Sequence, residues 1–246
     1  MYVTLGTYNG KLCHSLEIYQ NFKYTYTAVI VEPREHKALE FVLNNVLENL
    51  NEDWNVLIFH GNNNMNYTSN IVNNNLYKYK HRISMKNLNV DNLTIYDYNK
   101  LLTSKSFYEQ IPTEIFLIFQ TDSMICPEYK HYINEFLKYD YVGAPWENLT
   151  KGGNGGFSLR RKSKMNDIID NCKNKEGMNE DIYFSNGCKD AKLYIPSPEE
   201  SNKFSIETIY RDDSFGVHKP WNYVNIENKY SHCKDLDKLV ELNKQT

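Results

Sequence analysis

The sequence predicts an α/β fold, a single domain built on a central, mostly parallel sheet flanked by helices. Three apolar runs carry that prediction: Thr27-Ala-Val-Ile-Val-Glu32, Asn55-Val-Leu-Ile-Phe59 and Ile115-Phe-Leu-Ile-Phe119. Each is short, rich in β-branched or aromatic residues and bounded by polar or turn-forming positions. Such runs read as strands buried on both faces, which is how parallel sheets present themselves in sequence. Between the first two lies a helical pattern, with Leu39, Val42, Leu43, Val46, Leu47 and Leu50 on one face. Strand, helix and strand in that order form a right-handed crossover unit with its strands parallel.

The remaining elements follow in order. Residues 1–25 are polar and weakly patterned, an extension ahead of a main domain at 26–230. Pro33 ends the first strand and His36–Leu50 forms the helix. Gly61 closes the second strand, and Asn62–Asn75 reads equally as a loop or as a poorly capped helix. A short strand is expected around Arg82–Leu88, then a helix over Tyr96–Gln110 that Pro112 stops. Tyr141–Trp146 is a short apolar segment. Gly152–Gly156 then packs four glycines into five positions, marking backbone that takes positive φ or is closely approached. A helix starts at Ser163, with Met165, Ile168, Ile169 and Cys172 on one face. Asn179 reads as the N-cap of another, with Glu180 and Asp181 in its first turn. Ser197-Pro198 opens a further helix, and Asp235–Leu242 forms a short helix within a C-terminal segment at 231–246.

Composition narrows the function classes. A chain of 246 residues can bury a sizeable core, and a formal charge of −3 lacks the basic excess of a nucleic-acid binder. No apolar run is long enough for a membrane-spanning helix, and the first residues lack a signal-peptide pattern. The five cysteines (Cys13, Cys126, Cys172, Cys188, Cys233) form no CxxC pair. An odd count without metal-ligand spacing reads as free thiols in a reducing compartment, so a cytoplasmic chain is expected.

The candidate chemistry begins where the Ile115 run stops, at Gln120-Thr-Asp122-Ser123. A carboxylate ending a buried strand stands at the edge where open α/β sheets bind ligands. Alone, such an aspartate is a solvated turn residue. Three further pieces follow it in order: the glycine-rich Gly152–Gly156, Asn179-Glu180-Asp181 at a helix start, and Phe215-Gly-Val-His218-Lys219-Pro-Trp221. A lone histidine is usually structural, but here imidazole, ammonium and an aromatic face can converge on one anion. This order resembles the GT-A class of nucleotide-sugar glycosyltransferases, which carry a metal-binding Asp-x-Asp at a strand end, a glycine-rich loop, an x-Glu-Asp motif at a helix start and a late histidine. The strings Gln-Thr-Asp-Ser, Val-Gly-Ala-Pro-Trp and Gly-Asn-Gly-Gly-Phe-Ser-Leu-Arg are also similar to glycosyltransferase-like domains of microbes and large viruses. The resemblance covers residues 27–221. It departs from the family pattern at Gln120, which stands where the first acid of Asp-x-Asp belongs.

The resemblance implies a GT-A type, Rossmann-like fold and a metal-dependent transfer of sugar from a nucleotide-diphosphate sugar, a UDP-sugar, to a hydroxyl of a glycan, protein or small-molecule acceptor. It implies Asp122 and His218 as ligands of Mn²⁺ or Mg²⁺, the imidazole leaning towards Mn²⁺. Gln120, Lys219, Glu32 and Arg34 would serve the donor, Lys219 as a point charge on its phosphates. Gly155 and Gly156 would let a sugar lie close, and Trp146 or Trp221 would stack on it. Asp181, with Glu180 beside it, is the implied catalytic group. In an inverting transfer Asp181 is the base, and the helix N-terminus is expected to keep its pKa low. A retaining transferase, which would not need Asp181 as base, stays open. So does a sugar- or protein-binding domain without turnover, which the Gln120 substitution keeps alive. A nucleotidyltransferase is disfavoured, since no glycine-rich phosphate loop follows the first strand.

Overall fold

A six-stranded sheet runs through the centre of the molecule, strongest where the sequence is most apolar. The computed structural model describes residues 5–8, 11–14, 24–147, 153–174, 177–224 and 233–244. Strands β1 (Leu5–Tyr8) and β2 (Lys11–His14) form a separate hairpin inside the segment read as an extension. The crossover unit is β3 (Tyr26–Val31), α1 (Leu39–Asn49) and β4 (Trp54–His60). The Asn-rich stretch is helical: α2 (Met65–Asn70) runs into a π-helical turn at Ile71–Asn75, and no side chain caps its start. Next come β5 (Ile83–Asn87), α3 (Ile95–Leu102) and α4 (Lys105–Glu109).

The single helix expected over Tyr96–Gln110 is thus broken in two. Thr103 and Ser104 turn their hydroxyls back onto the carbonyls of Asn99 and Leu101, which competes with helix continuation. The central run gives β6 (Ile115–Ile118) and, after a turn, β7 (Ser123–Ile125). Then follow α5 (Ile133–Phe136), β8 (Tyr141–Gly143), β9 (Ser158–Arg161), α6 (Lys162–Asn171) and α7 (Glu180–Asn186). The described chain closes with α8 (Pro198–Phe204), β10 (Ser205–Ile206), β11 (Gly216–His218) and α9 (Leu236–Lys244).

The sheet order is β5-β4-β3-β6-β9-β8, parallel from β5 to β6, with β9 antiparallel to both its neighbours. Alternation along the strands divides the core between the two faces. Ala28, Ile30, Val56, Ile58 and Leu117 pack in one apolar cluster with α1 and α9. Val29, Leu57, Phe59, Phe116 and Ile118 pack in the other with Phe107, Tyr108, Met165, Ile168 and Phe184. Burying one such side chain contributes about 1.5–3 kcal/mol, so both helical layers are held by several times that.

A second sheet, β10-β11-β7, stands beside the first, with His218 of β11 opposite Ser123 of β7. Among the described residues no helix is long and apolar enough to cross a membrane. The free-thiol expectation is corrected for four cysteines. Cys126–Cys233 and Cys172–Cys188 are disulfides, with Cα separations of 4.6 and 5.6 Å. Partners so far apart in sequence leave no spacing to read, and only the fold brings them within bonding range.

Candidate active site

Two neighbouring parallel strands open the site at their carboxyl ends. β3 hands on Glu32, Pro33 and Arg34, and β6 hands on Gln120, Thr121 and Asp122. A cavity of about 390 Å³ lies over these ends, lined also by Tyr98, Asn154, Gly156, Asp181, His218 and Lys219. This is the crevice that open α/β sheets offer to ligands. Glu32 is buried and binds Arg34 through both oxygens, each contact at 2.8 Å. The pair enters the wall with its charges already matched.

The end of the cavity that carries Asp122, His218 and Lys219 is built by β7 and β11. The Ser123 hydroxyl accepts from the Gln120 N–H and donates to the Gln120 carbonyl, which fixes the turn carrying Asp122. Pairing of β11 with β7 then sets the buried His218 beside it. His218 Nε2 lies 3.2 Å from Asp122 Oδ1 and 3.2 Å from Gln120 Oε1, while Nδ1 lies 3.0 Å from Glu207 Oε1. The Gln120 amide nitrogen donates to the Tyr98 hydroxyl at 2.9 Å, which turns its oxygen towards the imidazole. Burial pushes the His218 pKa down, but the carboxylates of Asp122 and Glu207 outweigh it and raise the value to about 9. Burial likewise pushes Asp122 up, and His218 and Lys219 outweigh that to hold it at about 2. Lys219 takes φ 33 and ψ 47, a left-handed conformation uncommon for a side-chain-bearing residue, and its N–H donates to the Asp122 carbonyl at 2.8 Å.

The glycine-rich loop, described from Gly153 onward with Gly152 outside the described residues, is shaped by the protein's own side chains. A Cβ at Gly156 would strike His218 Nε2 and Gln120 Oε1. At Gly155 it would strike Glu180 Oε1 and Arg160 Nη2, and Gly155 is absent from the cavity wall. Gly155 therefore makes room for an ion pair rather than for a sugar. Arg160 is fully buried and grips Glu180 at 2.7 and 2.9 Å, with Ser158 Oγ and the Gly155 carbonyl taking further N–H groups. Glu180, expected beside Asp181 in the chemistry, has both oxygens engaged in this pair. The Asn179 side chain does not cap α7; Asn99 Oδ1 accepts the Glu180 N–H instead, at 2.9 Å.

Asp181 is half-buried in the cavity wall and accepts from Ile182 N–H at 2.8 Å and Gly155 N–H at 3.3 Å. Its carboxyl is raised above the usual value, because burial outweighs those donors and Arg160. This corrects the low pKa expected from the helix N-terminus. Neither Trp146 nor Trp221 is among the residues that line this cavity. Trp146 follows β8, an edge strand two places beyond β6, and Trp221 packs against the α1 side of the core. Tyr98 is the aromatic residue on the wall. Neither Tyr98 nor Glu207 belongs to a sequence motif, and the helical spacing around Tyr98 was its only signal.

The site's donors form a sparse set. Among the described residues no cluster of three His, Cys, Asp or Glu could hold a metal ion. Asp122 Oδ1 is nevertheless buried without a hydrogen bond, its ion pair being with the His218 Nε2 that also meets the Gln120 amide oxygen. A carboxylate, an imidazole and an amide oxygen suit a divalent cation that takes its other ligands from phosphate and water.

Residues 82–218, more than half of the chain, match the model of a family described as "Protein of unknown function (DUF5672)". No curated protein matches the sequence. Among solved structures, the glycosyltransferase GlyE of Streptococcus pneumoniae TIGR4 in its apo form superposes with a TM-score of 0.55 at 9% identity, over 89% of this chain and 60% of that one. The galactosyltransferase LgtC, solved with donor and acceptor sugar analogs, gives 0.52 at 8% identity, over 90% of this chain and 96% of that one. TarS of S. aureus gives 0.51 at 11% identity, over 79% of this chain and 60% of that one. The chain thus spans 60% of the length of the TarS and GlyE chains. Identities this low identify the fold alone, and that fold is of the GT-A type.

Proposed function

The chain belongs to the DUF5672 family and has a GT-A fold, and from that premise we propose that it is a glycosyltransferase. It moves a sugar from a nucleotide-diphosphate sugar, a UDP-sugar, to an acceptor hydroxyl, with inversion and with a divalent ion. One observation carries the reading: Asp122, Asp181 and the pair His218-Lys219 come from three separate stretches and line a single cavity. LgtC, of the same fold, was solved with donor and acceptor sugar analogs.

The residues divide the work. Asp122 and His218, with Gln120 Oε1 beside them, would hold Mn²⁺ or Mg²⁺. Bound there, the ion acts as a Lewis acid on the departing diphosphate, worth several kcal/mol. Lys219 adds a point charge to the phosphates. Glu32 and Arg34 form the wall on the donor side, and Tyr98 holds Gln120 in orientation. Asp181 takes the proton of the acceptor hydroxyl while its oxygen bonds to the anomeric carbon and the bond from that carbon to the diphosphate breaks. A carboxyl raised by burial sits closer to working pH, which suits a general base. Glu180 and Arg160 hold the helix that carries it.

Calorimetric titration of UDP, with and without Mn²⁺, tests the reading. Binding should need the metal, and Asp122→Ala should remove that dependence. Equal UDP affinity in the parent without metal would end it. A panel of nucleotide sugars, assayed for donor hydrolysis, then identifies the sugar.

A further inference from the structure

Glu207 lies just beyond β10, is 2% exposed and stands outside the cavity wall, yet it holds two groups that form that wall. Its Oε1 receives His218 Nδ1 at 3.0 Å and Asn154 Nδ2 at 3.1 Å. Asn154 in turn accepts the Gly156 N–H through Oδ1 at 2.7 Å, and its own N–H donates to the Ala144 carbonyl at 2.8 Å. Gly156 is packed so closely on the His218 ring that no side chain fits there. One carboxylate oxygen therefore joins β11 to the glycine-rich loop.

We infer that Glu207 is a positioning residue: it fixes the His218 ring with its hydrogen on Nδ1, presents Nε2 towards Asp122 and Gln120, and ties that orientation to the glycine-rich loop. The inference rests on the donor-site reading above. A carboxylate accepts from Nδ1–H, so that hydrogen is held on Nδ1 and Nε2 is the nitrogen left to give up its own to a bound cation. Histidines that bind metals commonly donate their second ring N–H to such a carboxylate, and losing the partner weakens metal binding about 10- to 100-fold. A role in packing alone does not account for Glu207. Its Oε2 is buried with no hydrogen-bond partner, an expensive arrangement for a group serving only as filler.

The test compares Glu207→Ala, Glu207→Gln and His218→Ala with the parent. Mn²⁺ binding in the presence of UDP is read from the electron paramagnetic resonance of the free ion, and the His218 tautomer, without metal, from ¹⁵N chemical shifts at a pH above its raised pKa. Glu207→Ala should weaken Mn²⁺ binding about 10- to 100-fold and mix the tautomers. Glu207→Gln keeps an acceptor for Nδ1–H without the charge, so the tautomer should persist with a smaller loss of affinity. Parent-like Mn²⁺ affinity and tautomer in Glu207→Ala, while His218→Ala loses the ion, would overturn the role of Glu207 and leave the metal reading standing. Parent-like Mn²⁺ binding in His218→Ala would overturn both. If Glu207→Ala does not fold, parent-like affinity in Glu207→Gln overturns the inference.

Discussion

Asp181 carries its charge at a cost to the fold. Its carboxyl is raised, first by burial, so the folded state binds a proton more readily than the unfolded chain does. By linkage, stability then falls as pH rises from the ordinary aspartate value through the raised one. Asp181→Asn should therefore melt no lower than the parent at pH 7, while transfer falls about 10²–10⁴-fold. In the parent, the acidic limb of kcat/KM should lie above the ordinary aspartate range. A variant that melts lower, or one that keeps near-parental turnover, removes the assignment. Lys219 makes a similar compromise in its backbone. The left-handed region costs an L-residue about 1–2 kcal/mol, which glycine avoids while losing more entropy on folding. Lys219→Gly should melt within about 1 kcal/mol of the parent yet bind UDP–Mn²⁺ less tightly and with a flatter salt dependence, since one charge pair is gone. An unchanged salt profile would return Lys219 to the solvent. Asp122 and His218 were legible because a strand end and a glycine flank them. Glu207, Tyr98 and Arg160 were not, since their partners lie 11, 22 and 20 positions away on other elements.

Helix α7 is positioned by a buried ion pair at its first residue rather than by a cap. Arg160, on β9, is enclosed by Glu180 and by the rings of Tyr141 and Phe184, 5.2 and 5.7 Å from its guanidinium carbon. Removing one partner of such a pair costs about 3–5 kcal/mol, because the other charge stays buried alone. Glu180→Gln should lower the denaturant midpoint accordingly and reduce turnover through a displaced Asp181. A midpoint equal to the parent's would mean that α7 is held by other contacts. At this scale the sequence was most legible where apolar runs were long. β3, α1 and β4 show their period plainly, and β10 and β11, of two and three residues, are too short to show one. β11 depends on pairing with β7 and β10 on pairing with β11, a property of the fold rather than of the local sequence.

The whole molecule is fastened at two places that composition did not reveal. Cys172–Cys188 encloses α7, and Cys126–Cys233 ties the start of α9 to the end of β7. In the chain-entropy account, loops of 16 and 107 residues correspond to about 3 and about 4.7 kcal/mol. Alkylation of the unfolded, unreduced protein should leave Cys126, Cys172, Cys188 and Cys233 unmarked, and reductant should expose all four while lowering the melting temperature. Marking of all four before reduction would restore the earlier expectation. The fold class was legible because parallel strands must be apolar on both faces. The antiparallel insertion of β9 between β6 and β8 was not, as nothing in Phe157-Ser-Leu-Arg160 indicates strand direction.

The pairing of β11 with β7 also governs when the site comes into being. Asp122 leaves the ribosome with the first half of the sheet, but His218 and Lys219 are carried by a strand made far later that must reach back to Ser123. A nascent chain shorter than β11 has its central sheet but lacks two of the residues that line the cavity. On the proposed function, ligand recognition doubles as a report that synthesis and folding have run through to the last wall of the cavity.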